Sequence, residues 1–262
     1  MHIPEISPDI LFSIGPIPIT NTVVNVWLGI ILLLFLGIYL KKNISLRPGK
    51  VQNTCEFFLE IILNLFDQVT LDRKRTLKFL PIVGTVFIFI LLSNWLGLMP
   101  GTGSLMYGDK MFFRPANTDF NMVAVMTLCV LLASHLYGLL TVGVFTYLGK
   151  FIQIKNVWLS LKKGPLAIFS ALIEMGVGFI EIISEMAKVL SLSFRLFGNV
   201  FAGEILITVM SSLVSFLVPT PFMFLEILVG LVQAGVFAIL SLVYLSIATS
   251  QPHSSDESAI AH

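Results

Sequence analysis

Between Pro165 and Pro219 the chain runs 53 residues, 166 to 218, without a proline, and the stretch is mostly apolar. As one straight helix it would reach ~80 Å at 1.5 Å per residue. A hydrocarbon core is only ~30 Å thick. Such a segment cannot stand upright in a bilayer, so it either breaks or lies strongly tilted, and little in it would break it. Only 12% of the whole chain is charged and 56% is hydrophobic. Soluble domains carry roughly 25% charged residues, so this is the composition of a polytopic membrane protein. The apolar run nevertheless contains Ser191-Leu-Ser-Phe-Arg195-Leu-Phe-Gly-Asn199-Val-Phe-Ala-Gly-Glu204. A guanidinium cannot shed its proton, and a charge at bilayer depth costs at least ~2.5 kcal/mol. A residue kept there at that cost is read as functional.

The other apolar runs place the remaining elements. Residues 22–40 are uncharged and long enough to span, and Lys41, Lys42, Arg47 and Lys50 follow at once as a cytoplasmic stop. In 51–71, Glu56, Glu60, Asn64 and Asp67 line one helical face beside Phe57, Phe58, Ile61 and Leu65, the pattern of an interfacial amphipathic helix. Arg73, Lys74, Arg75 and Lys78 keep it on the cytoplasmic side. A second span covers 79–98, ending in Trp95 and Pro100-Gly101. Asn117-Thr-Asp119-Phe-Asn121 opens a third over 119–148, with Asn117 or Thr118 as the cap and His135 deep inside. His135 can relay protons or simply pack, and it has no acid near it in sequence. The long element covers 165–218. Pro219-Thr-Pro221 then turns the chain into a last helix over 222–250, folded back antiparallel and again long enough to tilt.

Residues 1–21 form an external N-terminal segment without the basic region of a signal peptide, so targeting falls to the first span. Residues 251–262 form a polar cytoplasmic tail. Of the 16 Lys and Arg, 12 fall in the assigned cytoplasmic segments, which puts the N-terminus outside and the C-terminus inside. The expected fold is a single all-α membrane domain of five crossing helices plus one interfacial helix. A net charge of +1 argues against nucleic acid, and Cys55 and Cys129 have no disulfide or metal spacing. No cofactor is expected.

In the long helix Glu174, Glu181, Glu185, Lys188, Arg195 and Asn199 fall within roughly 40° of a common line. Ionisable groups in a row on one membrane-helix face mark an ion pathway or a wet groove. Glu185 and Lys188 can pair at i,i+3, which leaves Arg195 without a partner on its own face. Glu204, ~900° further round, points the other way. On the last helix Glu226 and Gln233 share a face, and Gln233 can offer its carbonyl to Arg195 without neutralising it. A fixed arginine between two sets of carboxylates repels a proton and attracts a carboxylate. It would hold an acid on a moving partner deprotonated as it passes, and would block a direct leak. A secondary transporter would show internal repeats with matched broken helices. An intramembrane enzyme would show a nucleophile with its base or a metal motif. Neither pattern is present in the sequence.

The segment Leu192-Ser-Phe-Arg195-Leu-Phe-Gly-Asn199-Val-Phe-Ala-Gly-Glu204 resembles the signature of subunit a of F-type ATP synthases. The stretch from Gln233 to Val243-Tyr244-Leu245-Ser246 resembles that family's last helix, and Ser93–Pro100 and Asn117–Asn121 resemble its earlier landmarks. The resemblance implies a non-catalytic proton-channel stator pressed against a rotating ring of c subunits, with peripheral-stalk b subunits and other synthase subunits as partners, in a bacterial plasma membrane. It implies that Arg195 faces the ring's carboxylates, supported by Asn199 and Gln233. Glu204 and Glu226, with Asp119 and Asn121, would line the inlet half-channel from outside. Glu181, Glu185 and Ser184 would line the exit toward the cytoplasm. Members of that family often pair an acid with a histidine where this chain has two acids. Two nearby carboxylates would repel and can share a proton, which leaves sodium open as an alternative to the proton.

Overall fold

A computed structural model describes residues 7–99, 106–107, 110–151, 165–213 and 218–250. Two short strands, β1 (Ile10–Ile14) and β2 (Ile17–Thr20), pair antiparallel. Gly15 at φ +62° begins the two-residue turn between them, a position open to glycine because no Cβ stands in the way. This hairpin was not expected from the prolines of the N-terminal segment. It leads directly into α1 (Asn21–Asn43), whose first N–H bonds back to the Asp9 carbonyl at 3.1 Å. Lys41 and Lys42 sit in the last turn of α1, where the helix dipole favours cations.

The amphipathic α2 (Lys50–Thr70) buries Ile62, Leu63 and Phe66 and exposes Glu56 and Glu60. Asp72 then caps α3 (Arg73–Gly97), accepting from the Lys74 N–H at 2.9 Å. This helix starts six residues before the expected span and carries Pro81 inside it, because the capped first turn is basic and lies ahead of the apolar run. At its end Gly97 lies so close to Pro115 that any Cβ would overlap the proline ring. A 3-10 turn, Ala116–Thr118, precedes α4 (Phe120–Val142).

The third span does not run on to residue 148. It stops at Val142, Gly143 adopts φ +91°, and α5 (Val144–Phe151) starts in a new direction. Glycine takes this left-handed backbone freely, whereas an L side chain there costs roughly 1–2 kcal/mol. Gly143→Ala should therefore lower stability by about that amount, seen as an earlier unfolding midpoint in detergent. An unchanged midpoint would show that the turn is not held in this conformation.

The long run forms α6 (Pro165–Leu213), 49 residues of unbroken helix, and α7 (Pro219–Thr249) follows. The expected end of the long helix at 214–217 lies outside the described residues, as do residues 1–6, the basic loop at 152–164 and the tail at 251–262. Five helical stretches are long and apolar enough to cross a membrane: Asn21–Asn43, Arg73–Gly97, Phe120–Val142, Met175–Leu213 and Pro219–Thr249. This is an all-helical multi-pass membrane architecture with α2 as the additional amphipathic helix.

The chain divides into two compact units. One comprises Met1–Thr127 with Ser191–Leu242, the other Leu128–Leu190 with Val243–His262. The first unit buries Phe66, Phe79, Val83, Ile90, Leu196 and Phe237 almost completely. It also buries a set of polar side chains that lipid could not satisfy. Asn94 Nδ2 donates to the Gly230 carbonyl at 3.3 Å, and Asn117 Nδ2 donates to Asn94 Oδ1 at 2.7 Å. Thr22 donates to Asp119 at 3.3 Å, and Asn25 donates to the Arg114 carbonyl at 2.9 Å.

Candidate functional site

On α6, Leu192, Ser193, Leu196 and Val200 are buried, while Phe194, Arg195 and Asn199 are exposed. The 3.6-residue period thus turns Arg195 away from its own unit. Among the described residues Arg195 has no hydrogen-bond or ion-pair partner. The surface around it is open. A Cβ added at Gly198 would meet no heavy atom within 4 Å, Ala202 is exposed, and Gly235 on α7 is equally clear. Small residues of this kind let another helix approach closely.

Asn199, one turn along from Arg195, donates through Nδ2 to Gln233 Oε1 at 2.7 Å. Gln233 itself is buried, 4% exposed. The sequence reading aimed the Gln233 carbonyl at Arg195, but its hydrogen bond goes to Asn199. The two side chains tie α6 to α7 beside the arginine. A second meeting point lies at Gly203, where an added Cβ would overlap the Glu226 carboxyl group. Glu226 is buried, and it reaches α6 only because residue 203 has no side chain.

Glu204 faces inward, as its angle from Arg195 requires, and there it meets Arg114, a residue that the sequence did not single out. Arg114 Nε donates to both Glu204 carboxylate oxygens at 3.2 and 3.3 Å, and Nη2 adds a bond of 3.1 Å. The Arg114 side chain is 5% exposed and that of Glu204 is 15% exposed. Arg114 Nη1 also donates to the Ser7 carbonyl at 3.3 Å, and the guanidinium lies 5.9 Å from the Phe201 ring centroid. The Glu204 carboxylate is therefore held by a cation from the loop before α4. Only its place in an apolar-flanked Phe112-Phe113-Arg114-Pro115 run hinted at this, and no spacing rule reaches across 90 residues.

Asp119, not Asn117 or Thr118, caps α4: its Oδ1 accepts from the Asn121 N–H at 2.9 Å. Asn117 instead spends its amide on Asn94 and the Ile90 carbonyl. Asn121 is exposed on the first turn.

The second unit holds Glu181, Ser184 and Glu185. Glu181 and Glu185 are half-buried and Ser184 is exposed. Glu174 belongs to α6, but its side chain lies outside those described. Glu185 and Lys188 do pair, at 2.6 Å. His135, which has no acid near it in sequence, lies 3.9 Å from Glu185 through Nε2 and 2.6 Å from the Tyr147 hydroxyl through Nδ1. On a straight helix His135 and Tyr147 would stand ~18 Å apart; the turn at Gly143 brings them together. Lys188 also lies 5.2 Å from the Tyr244 ring centroid. Burial, then the charges of Glu185 and Glu181, push the Tyr147 phenol up to about 12. It therefore keeps its proton at any working pH. Among the described residues no group of His, Cys, Asp and Glu could hold a metal ion.

Residues 23–246 match a family model described as the ATP synthase A chain. A protein named ATP synthase subunit a from Moorella thermoacetica is 32% identical over 243 residues, 92% of this chain and 96% of that one. Another of the same name, from Trichlorobacter lovleyi, is 32% identical over 233 residues, 89% of each chain. A third, from Geotalea daltonii, is 30% identical over 235 residues, again 89% of each.

Proposed function

This chain belongs to the ATP synthase A chain family, and from that premise we propose that it is the membrane-sector stator of a proton-driven synthase. It works beside a ring of c subunits, with peripheral-stalk b subunits and the other synthase subunits as partners, and carries out no catalysis itself. Its single membrane domain sits in a bacterial inner membrane, N-terminus outside and C-terminus cytoplasmic. The observation that carries this reading is Arg195: an obligatory cation on an apolar helix, turned outward, with no partner among the described residues. In a bilayer such a charge needs a counter-ion, and a ring carboxylate supplies one.

The mechanism follows from where the carboxylates lie. A proton from outside reaches Glu204 and Glu226, with Asp119 and Asn121 lining the inlet, and passes to a ring carboxylate. As the ring turns, Arg195 favours the ionised form of each arriving carboxylate, so the proton must already have left through the exit lined by Glu181, Glu185 and Ser184. Asn199 and Gln233 hold the two helices together beside Arg195. The guanidinium blocks the direct line between inlet and exit, so a proton crosses only by riding the ring. Each proton moving through 100 mV supplies ~2.3 kcal/mol.

The test is proton-driven ATP synthesis in membrane vesicles carrying Glu204→Gln, Glu226→Gln or both. Each single change should lower the rate on the order of 100-fold, the lower end for losing a proton-transfer group. It should also change the dependence on outside pH. Wild-type rates and pH dependence in both single variants would overturn the inlet assignment.

A further inference from the structure

The Arg114–Glu204 pair is not required by the path just described, yet it is among the most elaborate polar arrangements in the described residues. Four separate parts of the first unit build it. The loop before α4 supplies the guanidinium and α6 supplies the carboxylate. The N-terminal segment contributes the Ser7 carbonyl to Nη1 at 3.3 Å. From α1, Asn25, itself buried, fixes the Arg114 backbone carbonyl at 2.9 Å. Phe201 lies on the same α6 face as Glu204, three residues earlier, and its ring lies 5.9 Å from the guanidinium carbon. The arginine is thus held at its backbone carbonyl, beside the Phe201 ring and at one terminal nitrogen, while Nε and Nη2 bond Glu204. Such bidentate forks fix direction as well as charge.

The other charged groups near this carboxylate do not replace it. Glu226, on α7, sits against Gly203, one residue from Glu204, and carries the same sign. Asp119, at the head of α4, is turned to Thr22 and to its own helix. Arg114 is the cation that bonds Glu204 among the described residues.

We propose that Arg114 is a positioning residue of the inlet: the counter-charge that sets the outside pH at which Glu204 accepts a proton. This rests on the inlet reading of Glu204 given above. A nearby opposite charge favours the ionised carboxylate, so a proton arriving at Glu204 must displace a guanidinium that the Ser7 carbonyl and the Phe201 ring also hold. When the proton moves on, the pre-aimed fork recaptures the carboxylate and resets the site. If the pair were only a clamp on the N-terminal segment, its loss would change how much chain assembles and leave the pH dependence alone.

The experiment measures proton-driven ATP synthesis against outside pH in vesicles holding the assembled synthase, for wild type, Arg114→Gln, Arg114→Lys, Glu204→Gln and the Arg114→Gln/Glu204→Gln double variant. Without the guanidinium the carboxyl can neutralise itself by taking up a proton, so the fold is not left with a bare buried charge. Arg114→Gln should move the midpoint of the outside-pH dependence upward by about 1–3 units, the size of a single close opposite charge. Arg114→Lys, which keeps the charge and loses the fork, should move it less. On the Glu204→Gln background, Arg114→Gln should produce no further shift. An unmoved midpoint in Arg114→Gln, with Glu204→Gln altering the profile, overturns the proposal and leaves the inlet reading standing. A Glu204→Gln profile identical to wild type removes the inlet reading itself. Failure of Arg114→Gln and Arg114→Lys alike to assemble identifies a purely structural clamp and also overturns it.

Discussion

Arg195→Ala should abolish ATP-driven proton pumping in vesicles while the chain stays inserted and assembled. Its guanidinium is turned away from its own unit and bonds nothing among the described residues. Truncation therefore leaves no orphaned partner among the described residues and should cost the fold little. What it would remove, on the proposed function, is the field acting on an external carboxylate. At 4 Å and an effective dielectric of 20 that field is worth about 4 kcal/mol, close to a thousandfold in the carboxylate's proton affinity. Ring carboxylates would then pass the stator still protonated, and the inlet would connect to the exit without rotation. Pumping, followed by a pH-sensitive dye, should fall to the baseline, and passive proton leak should rise. Arg195→Lys keeps a positive charge that can be lost, and should retain some coupling. Pumping in the assembled Arg195→Ala complex within tenfold of wild type would remove the stator from the mechanism.

Gly203→Ala is the second large effect, and it acts through one methyl group. The added carbon falls on the Glu226 carboxyl group, which is buried at the contact of α6 with α7. The carboxyl lies at the end of a flexible side chain, so it swings aside and the helices stay paired through Asn199 and Gln233, 2.7 Å apart. The expected result is a folded protein with a displaced Glu226, the acid proposed for the inlet. Proton-driven synthesis should drop on the order of 100-fold, matching Glu226→Gln. The Gly203→Ala/Glu226→Gln double variant should be no worse than either single change, since both remove one function. Additive losses would show that Gly203 matters for something other than seating Glu226.

The spans were legible because hydropathy and length report directly on lipid contact, and the five apolar helices stand where those runs lie. Arg195 stood out for the same reason, as a charge where none is cheap. Three features were not legible, and each depends on contacts that periodicity cannot see. Gly143 sits in an apolar run with no proline, so nothing local distinguished a left-handed break from a tolerated helical glycine. With the break hidden, the meeting of His135, Tyr147 and Glu185 was hidden too. Arg114 carried no spacing signal in the sequence because its partner lies on a helix far along the chain. The Asp119 cap was legible as a helix start, but the competing pull of Asn94 on Asn117 decided which side chain served it.

The polar joints of the first unit also set an order for its making. Asn94, on α3, bonds the Gly230 carbonyl 136 residues later, and Arg114 bonds Glu204 90 residues later. At ~5–20 residues per second of synthesis, Asn94 waits roughly 7–27 s for its partner to exist. Through that interval the Asn94 amide N–H lacks the carbonyl it later bonds, although its oxygen is already met by Asn117, and an unpaired amide is penalised in lipid. The first unit is therefore complete only once α6 and α7 have been made and have supplied Glu204 and the Gly230 carbonyl.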